Sequence, residues 1–363
     1  MTDSKLFHPG HINSLPLANR LAVAPMTRVS ASETGVAGER MKHYYSRFAS
    51  GGFGLVITEG IYIDRAWSQA YAYQSGLVTD EQEAGWRAVV EAVHQRGGKI
   101  IAQLQHAGAL SQGNIYRQET AAPAAVQPKG EQMAFYRGEG AYPMPRALTG
   151  DEIHEVIAAF ADTAARAVSA GFDGIEIHGA NGYLLDQFFT DYTNPRSDEW
   201  GGDIVGRLSL SLAVIEAVRR RVGPEVAMGI RLSQGKVNDF THKWQEGEAG
   251  AQAVFQRLAA SGIDFLHLTE YEAWAPAFPG NPHSLVELAR KYAPTLTLIA
   301  NGSLHDPQRA EQVLAQGADF ITLGRGALAN ADWPMKVRHQ SPLAEFDRAI
   351  LGPIADIKES ELA

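Results

Sequence analysis

Short apolar runs rich in Val, Ile and Leu alternate along this chain with longer segments of helical periodicity. The apolar runs cover residues 20–25, 54–60, 99–104, 172–178, 226–232, 264–269, 296–300 and 320–324. They are apolar along most of their length, as parallel strands buried on both faces are. The helical patterns lie between them, at 39–49, 80–96, 151–170, 203–222, 246–260, 284–292, 307–316 and 331–339. Eight such units predict an α/β fold, a single TIM (β/α)8 barrel.

Residues that begin and end helices stand at the predicted boundaries. The predicted N-caps are Thr79, Thr149 and Asp306, and the helix-ending glycines are Gly97, Gly171, Gly262 and Gly317. Residues 6–20 predict an N-terminal β-hairpin that caps the barrel floor. Long loops follow strands three and four, at 106–148 and 179–202, and such loops usually shape an active site. We therefore expect one domain over residues 1–363.

Composition and charge narrow the class of protein. The net charge of −9 argues against nucleic-acid binding. The sequence contains no window of eighteen consecutive apolar residues, so no membrane span is predicted. The N-terminus lacks a signal-peptide pattern. The chain has no cysteine, which excludes disulfides, thiolate catalysis and cysteine-ligated clusters. We expect a cytoplasmic enzyme, and the sequence leaves its oligomeric state open, a homo-oligomer included.

The segment 176–188 (EIHGANGYLLDQF) carries the most specific chemistry. His178 ends a predicted strand, and Asn181 and Tyr183 follow it closely. If the segment closes as a helical turn, His178 and Asn181 face the same way and aim two N–H donors at one point. Two such donors polarise a carbonyl group and stabilise charge on its oxygen. Tyr183 lies close enough in sequence to supply a proton.

Other candidate site residues also fall at predicted strand ends, on the catalytic face of such a barrel. These residues are Thr27, Gly60, Gln103, Arg231, Glu270 and Arg325. Barrels often bind phosphate with the loops after strands seven and eight. Those loops read 300–303 (ANGS) and 323–326 (LGRG) here, so glycine permits close approach of the backbone and an arginine adds a charge-assisted bond. The two loops therefore predict a phosphate site.

The segment 178–188 (HGANGYLLDQF) resembles the active-site signature of the Old Yellow Enzyme family of FMN-dependent ene-reductases. The resemblance extends through 24–28 (APMTR), 58–60 (TEG), 103–106 (QLQH), 193–202 (TNPRSDEWGG), 229–233 (GIRLS) and 324–325 (GR). The seven elements follow the family's order and cover nearly the whole chain. The resemblance implies non-covalent FMN, NADPH or NADH as reductant, and reduction of the activated C=C bond of α,β-unsaturated carbonyl or nitro compounds.

The resemblance also implies a role for each site residue. His178 and Asn181 would bind the substrate carbonyl oxygen, and Tyr183 would protonate the α-carbon. Thr27 and Gln103 would hydrogen-bond the flavin. The remaining cofactor contacts would come from Pro25, Gly60, His178, Arg231, Gly302, Gly324 and Arg325. No metal site is implied.

Several assignments stay open at this point. Arg231 could pair with Glu176 instead of the flavin, or do both. Arg28 and His106 could be pocket walls or hydrogen-bonded structure. Many relatives carry an aromatic residue at the position of Gln105 and an arginine at that of Ala109. The family's pocket is also often lined by a C-terminal aromatic residue, which the sequence does not locate. Tyr271 (assigned here to substrate binding) and Trp274, after strand six, are candidate substitutes for it.

Two other functions compete with the flavin enzyme. A barrel glycoside hydrolase would use two of the strand-end carboxylates Glu59, Glu176 and Glu270, but it leaves Thr27, Gln103 and the HGANGY segment unexplained. A non-catalytic flavin-binding protein would give Tyr183 no task.

Overall fold

The computed structural model describes residues 4–362. Its strands are β1 (Gly10–Ile12), β2 (Leu15–Leu17), β3 (Leu21–Val23), β4 (Leu55–Tyr62), β5 (Lys99–Gln105), β6 (Ala121–Ala122), β7 (Arg146–Ala147), β8 (Gly174–His178), β9 (Ala227–Ser233), β10 (Phe265–Thr269), β11 (Thr297–Asn301) and β12 (Phe320–Leu323). Eight of these form a closed barrel in the order β3-β4-β5-β8-β9-β10-β11-β12, and β12 pairs with β3 to close it. All pairs around the barrel are parallel. The predicted TIM barrel is confirmed.

Helices fill the connections between the barrel strands. They are α1 (Glu39–Ser50), α2 (Asp80–Gln95), α3 (Gly150–Ser169), α4 (Leu184–Phe189), α5 (Ile204–Arg207), α6 (Ser209–Val222), α7 (Gly247–Ala259), α8 (Leu285–Tyr292), α9 (Pro307–Ala315), α10 (Arg325–Ala329) and α11 (Trp333–Arg338). The predicted N-caps Thr79, Thr149 and Asp306 each accept a backbone N–H of the first helical turn.

One predicted helix, 203–222, is two helices in the structure, α5 and α6. Buried Arg207 lies at the break between them and donates hydrogen bonds to the carbonyl oxygens of Phe189 and Gly202. These two contacts hold the chain where it turns. The short helix α10, directly after β12, was also not predicted.

The antiparallel hairpin of β1 and β2 lies against one end of the barrel. Ile12, Leu15 and Leu17 of the hairpin belong to one buried cluster with inward-facing barrel residues such as Ile57 and Phe265. This apolar packing fills that end, so the open cavity lies at the other end, where the strands have their carboxyl termini. Among residues 4–362, no helix has the length and apolar character to cross a membrane.

Candidate active site

A cavity of about 940 Å³ opens at the carboxyl ends of the barrel strands. Every residue that the sequence analysis assigned to the site lines this cavity. They are Pro25, Thr27, Gly60, Gln103, His178, Asn181, Tyr183, Arg231, Tyr271, Gly302, Gly324 and Arg325. The barrel topology therefore brings together residues that are separated by up to three hundred positions in the chain.

His178 and Asn181 line the cavity together, but the expected helical turn does not join them. Helix α4 begins only at Leu184, and Asn181 has a left-handed backbone with φ 63°. Two partners hold it there: the Asn181 N–H donates to Ser233 Oγ at 2.8 Å, and the Asn181 carbonyl accepts from the Val237 N–H at 3.0 Å. The two residues therefore share one cavity, the helical turn predicted between them is wrong, and the aim of both donors at one point stays a prediction.

The protonation state of His178 follows from its surroundings. Burial lowers its pKa well below the ordinary value, and the nearby Arg231 and His267 lower it further. The imidazole is therefore neutral at physiological pH. Its Nδ1 accepts the Ala180 N–H at 3.3 Å, so the proton resides on Nε2. His178 consequently offers one N–H donor to a ligand without carrying a charge.

Tyr183 lies beside His178, with ring centroids 5.1 Å apart in an edge-on arrangement. Its hydroxyl forms a short hydrogen bond with the hydroxyl of Tyr71. Burial raises the pKa of Tyr183 to about 12, with Tyr71 and a nearby guanidinium acting in the opposite direction. The phenol is therefore protonated at neutral pH. Tyr136 packs on Tyr71 at 4.3 Å and donates to the Thr27 carbonyl at 3.0 Å.

Tyr71 and Tyr136 were not predicted from the sequence. Both come from long loops, and no motif distinguishes Tyr71 from its neighbour Tyr73, which is partly exposed. Their contribution depends on contacts between loops that a local pattern does not report.

Arg231 and Glu176 do not form the ion pair that the sequence left open. Strand register explains the difference. On β8 and β9, Glu176 pairs with Gly229, whereas Arg231 pairs with His178. Arg231 is therefore two residues closer than Gly229 to the carboxyl end of its strand, in the next layer of inward-facing side chains. Arg231 Nη2 instead donates to Asn301 Oδ1 at 3.0 Å.

Glu176 lies at the centre of a buried network beneath the cavity. Its two carboxylate oxygens accept from Gln103 Nε2 at 2.8 Å and from His267 Nδ1 at 2.7 Å. Burial alone would raise the pKa of Glu176, but His267, Arg231 and Gln103 together hold it below the ordinary value. Burial also lowers the pKa of His267. A carboxylate thus accepts from a neutral imidazole, and because Glu176 accepts only, Gln103 must turn its Nε2 toward it.

Arg231 has a hydrogen-bond donor that no acceptor in the described part of the chain satisfies. Its Nε is buried without a hydrogen-bond partner among residues 4–362, and so is the Nε2 of Gln105, another cavity residue. Buried donors without a partner are costly. Burial lowers the pKa of Arg231 to about 10, and Glu176 acts in the opposite direction, so the guanidinium stays charged. A ligand that presents acceptor oxygens would satisfy these donors.

The predicted phosphate loops lie at one side of the cavity. A Cβ at Gly302 would stand 2.3 Å from the Glu270 carbonyl oxygen, so the tight chain path there requires glycine. A Cβ at Gly324 would meet only the sulfur of Met26, at 3.6 Å, which leaves its backbone open to a ligand. Arg325 is exposed at the rim. His305 and Arg348, which the sequence analysis missed, also line the cavity.

Aromatic residues occur at the cavity mouth. Tyr271 is 77% exposed and Phe240 is 83% exposed, so both stand at the rim. Phe346 supplies a C-terminal aromatic residue that the sequence could not locate. Trp274 does not line the cavity; it packs under the Arg309 guanidinium at 4.2 Å.

Arg28 and His106 are held by hydrogen bonds. Arg28 is buried and forms two bonds to the Glu361 carboxylate, at 2.5 and 2.6 Å, and further bonds to the carbonyl oxygens of Ala355 and Asp356. It thereby fastens the C-terminal segment that carries the last cavity residues. His106 is buried, and its Nδ1 accepts the Gly108 N–H.

The three strand-end carboxylates do not form a catalytic pair. Glu59 is fully buried and bonds to Tyr45 and Ser75, outside the cavity. Glu176 is held in the network beneath it, and Glu270 alone of the three lines it. The glycoside hydrolase alternative is therefore wrong.

The sequence and the fold of this chain are similar to those of known proteins. The model of the NADH:flavin oxidoreductase / NADH oxidase family matches residues 5–344. Chanoclavine-I aldehyde reductase of Penicillium roqueforti is 35% identical over 95% of this chain and 92% of its own length. NADH oxidase of Thermoanaerobacter brockii is 34% identical over 92% of this chain, which spans only 50% of that protein. The structure of the old yellow enzyme homologue from Zymomonas mobilis has a TM-score of 0.88 and 31% identity, covering 98% of both chains.

Proposed function

The chain belongs to the NADH:flavin oxidoreductase / NADH oxidase family, and from that premise we propose that it reduces the activated C=C bond of α,β-unsaturated carbonyl or nitro compounds. The reductant is NADPH or NADH, and FMN is the cofactor. The single observation that carries the proposal is that His178, Asn181 and Tyr183 line one cavity.

The three residues have two different roles toward the substrate. His178 and Asn181 bind the carbonyl oxygen and stabilise the negative charge that develops there when hydride reaches the β-carbon. A neutral His178 does this without giving up its proton. Tyr183 then donates its phenolic proton to the α-carbon, and solvent reprotonates it. FMN, when bound, supplies the hydride-transfer chemistry.

Two sets of residues would hold FMN. Gln103, Thr27 and Arg231 would contact the ring system, with the carbonyl oxygen of Gln103 free to accept because its Nε2 donates to Glu176. The backbone contacts and the phosphate site would come from Pro25, Gly60, Gly302, Gly324 and Arg325. The buried Arg231 Nε without a partner supports this fit, because the flavin pyrimidine edge carries acceptor oxygens.

Spectroscopy of the purified protein tests the proposal. The protein should be yellow, release one FMN per chain on denaturation, and lose its colour when NADPH or NADH is added without oxygen. Colour should return when an enone such as cyclohexenone is added. A protein that takes up no FMN would refute the proposal, and a flavoprotein that no enone reoxidises would indicate flavin binding without this activity.

Two calls stay predictions from the sequence: a single domain over 1–363 and a cytoplasmic location. The oligomeric state stays open, a homo-oligomer included. So does the preference between NADH and NADPH, which kinetics with each nucleotide would decide.

A further inference from the structure

A buried ion pair lies directly behind the segment that carries Asn181 and Tyr183. Lys236 Nζ donates to both carboxylate oxygens of Asp186, each at 2.9 Å. The side chains are 3% and 0% exposed. Neither residue lines the active-site cavity, so the proposed chemistry does not use them. Buried charges are costly unless they are well paired, which raises the question of what this pair does.

The Asp186 carboxylate reaches back to the catalytic segment. It accepts the Gly182 N–H at 2.6 Å, between Asn181 and Tyr183. Gly182 has φ 89° and Asn181 has φ 63°, so two consecutive residues adopt left-handed backbone conformations. For asparagine this conformation costs energy and persists only where the surroundings impose it. Asp186 satisfies the N–H that this turn exposes.

Lys236 lies in the loop that holds Asn181 from the other side. Ser233, the last residue of β9, accepts the Asn181 N–H, and Val237 of the loop donates its N–H to the Asn181 carbonyl oxygen. The ion pair therefore joins α4 to this loop, and Asn181 lies between the two anchored elements. We infer that Asp186 and Lys236 are positioning residues that lock Asn181 in its left-handed conformation and so aim its side chain, together with His178, at the substrate oxygen.

This inference rests on the proposed function, and a phenol tests it. A phenolate bound to His178 and Asn181 should stack on oxidised FMN and give a long-wavelength charge-transfer band. The variants are Lys236→Met and Asp186→Asn, and Asp186→Asn keeps the size of the side chain. Lys236→Arg keeps the charge. Lys129→Met is the matched control, because Lys129 forms a 2.8 Å ion pair with Asp239 of the same loop but is 55% exposed.

We expect the phenol Kd of Lys236→Met and Asp186→Asn to rise about 10- to 100-fold, the range for the loss of one hydrogen bond to a charged ligand. The Kd of FMN should stay near the parent value, which a general loss of structure would not allow. Lys236→Arg should recover much of the phenol affinity, and Lys129→Met should match the parent.

Parent-like phenol binding in either charge-removing variant would overturn the inference. If Lys236→Met does not fold, Asp186→Asn decides alone. A loss of FMN and phenol binding together in Asp186→Asn would also overturn it, since the pair would then support the whole barrel. A parent protein that binds FMN but no phenol would instead refute the proposed oxyanion site, and this inference with it.

Discussion

Replacing Tyr183 with Phe removes one hydroxyl and keeps the ring that packs against His178. With a pKa raised to about 12, roughly one Tyr183 in 10⁵ is ionised at pH 7, so the parent enzyme holds the proton it must donate. Losing a general acid costs about 10²–10⁴ in rate, or about 2.7–5.5 kcal/mol in barrier height. Reduction of an ordinary enone should slow by that factor.

Stopped-flow absorbance measures the two half-reactions separately. Loss of flavin absorbance on mixing with NAD(P)H should proceed near the parent rate in Tyr183→Phe, because that step needs no proton at carbon. Its return on mixing with an enone should carry the whole effect. Nitroalkenes should suffer less, since their anions are stable enough to be protonated by water.

Tyr71→Phe is the matched control, because it removes the other hydroxyl of the pair and leaves the donor. It should slow the enone step far less than Tyr183→Phe does. The raised pKa of Tyr183 also predicts that this step loses no rate through Tyr183 ionisation between pH 6 and 10, with the loss beginning only as pH approaches 12. If the Tyr183→Phe variant reduces enones at the parent rate, Tyr183 only lines the pocket and is not the proton donor.

Three further predictions concern binding and stability. His178→Ala and Asn181→Ala should each weaken phenolate binding by about 1.5–3 kcal/mol, as measured by titration of the charge-transfer band; two variants with parent affinity would exclude the pair. Arg231→Met should chiefly impair FMN retention, seen as a higher Kd in fluorescence titration, and full retention would contradict its assignment. Glu361→Gln should lower the free energy of unfolding by about 3–5 kcal/mol in urea titrations, because it uncouples buried Arg28. The depressed pKa of Glu361 means that its contribution is present above about pH 4.5 and is lost as pH falls, so parent and variant should converge in acid.

The barrel could be predicted from the sequence because each of its strands has a recognisable local pattern. Buried parallel strands are apolar along their length, and each predicted strand overlaps an observed one. The ends of strands are harder to predict from sequence where contacts with neighbouring strands determine them. The predicted end of β4 at Gly60 is wrong by two residues, since the chain shifts register between Ile57 and Gly60 and continues to Tyr62.

Strand-end residues could also be assigned to one cavity, because closing a parallel barrel brings the carboxyl ends of all its strands to one side. Loop residues could not. Tyr136 and Phe346 line the cavity from loops, and Tyr71 contacts Tyr183 from another loop. Contacts of this kind leave no periodic pattern in the sequence.

Asn181 lies between these two cases. The motif identified it, yet its left-handed backbone depends on Ser233, 52 residues later, and on the pair of Asp186 with Lys236, 50 residues apart. From local sequence alone, a helical turn is the simplest way to place two donors three residues apart on the same side. The protein instead adopts a strained turn and holds it from two sides, which local reasoning could not foresee. The direction in which Asn181 points is therefore set by the end of β9 and the loop after it. Changes at Lys236, which does not line the cavity, should alter substrate binding without any contact to the substrate.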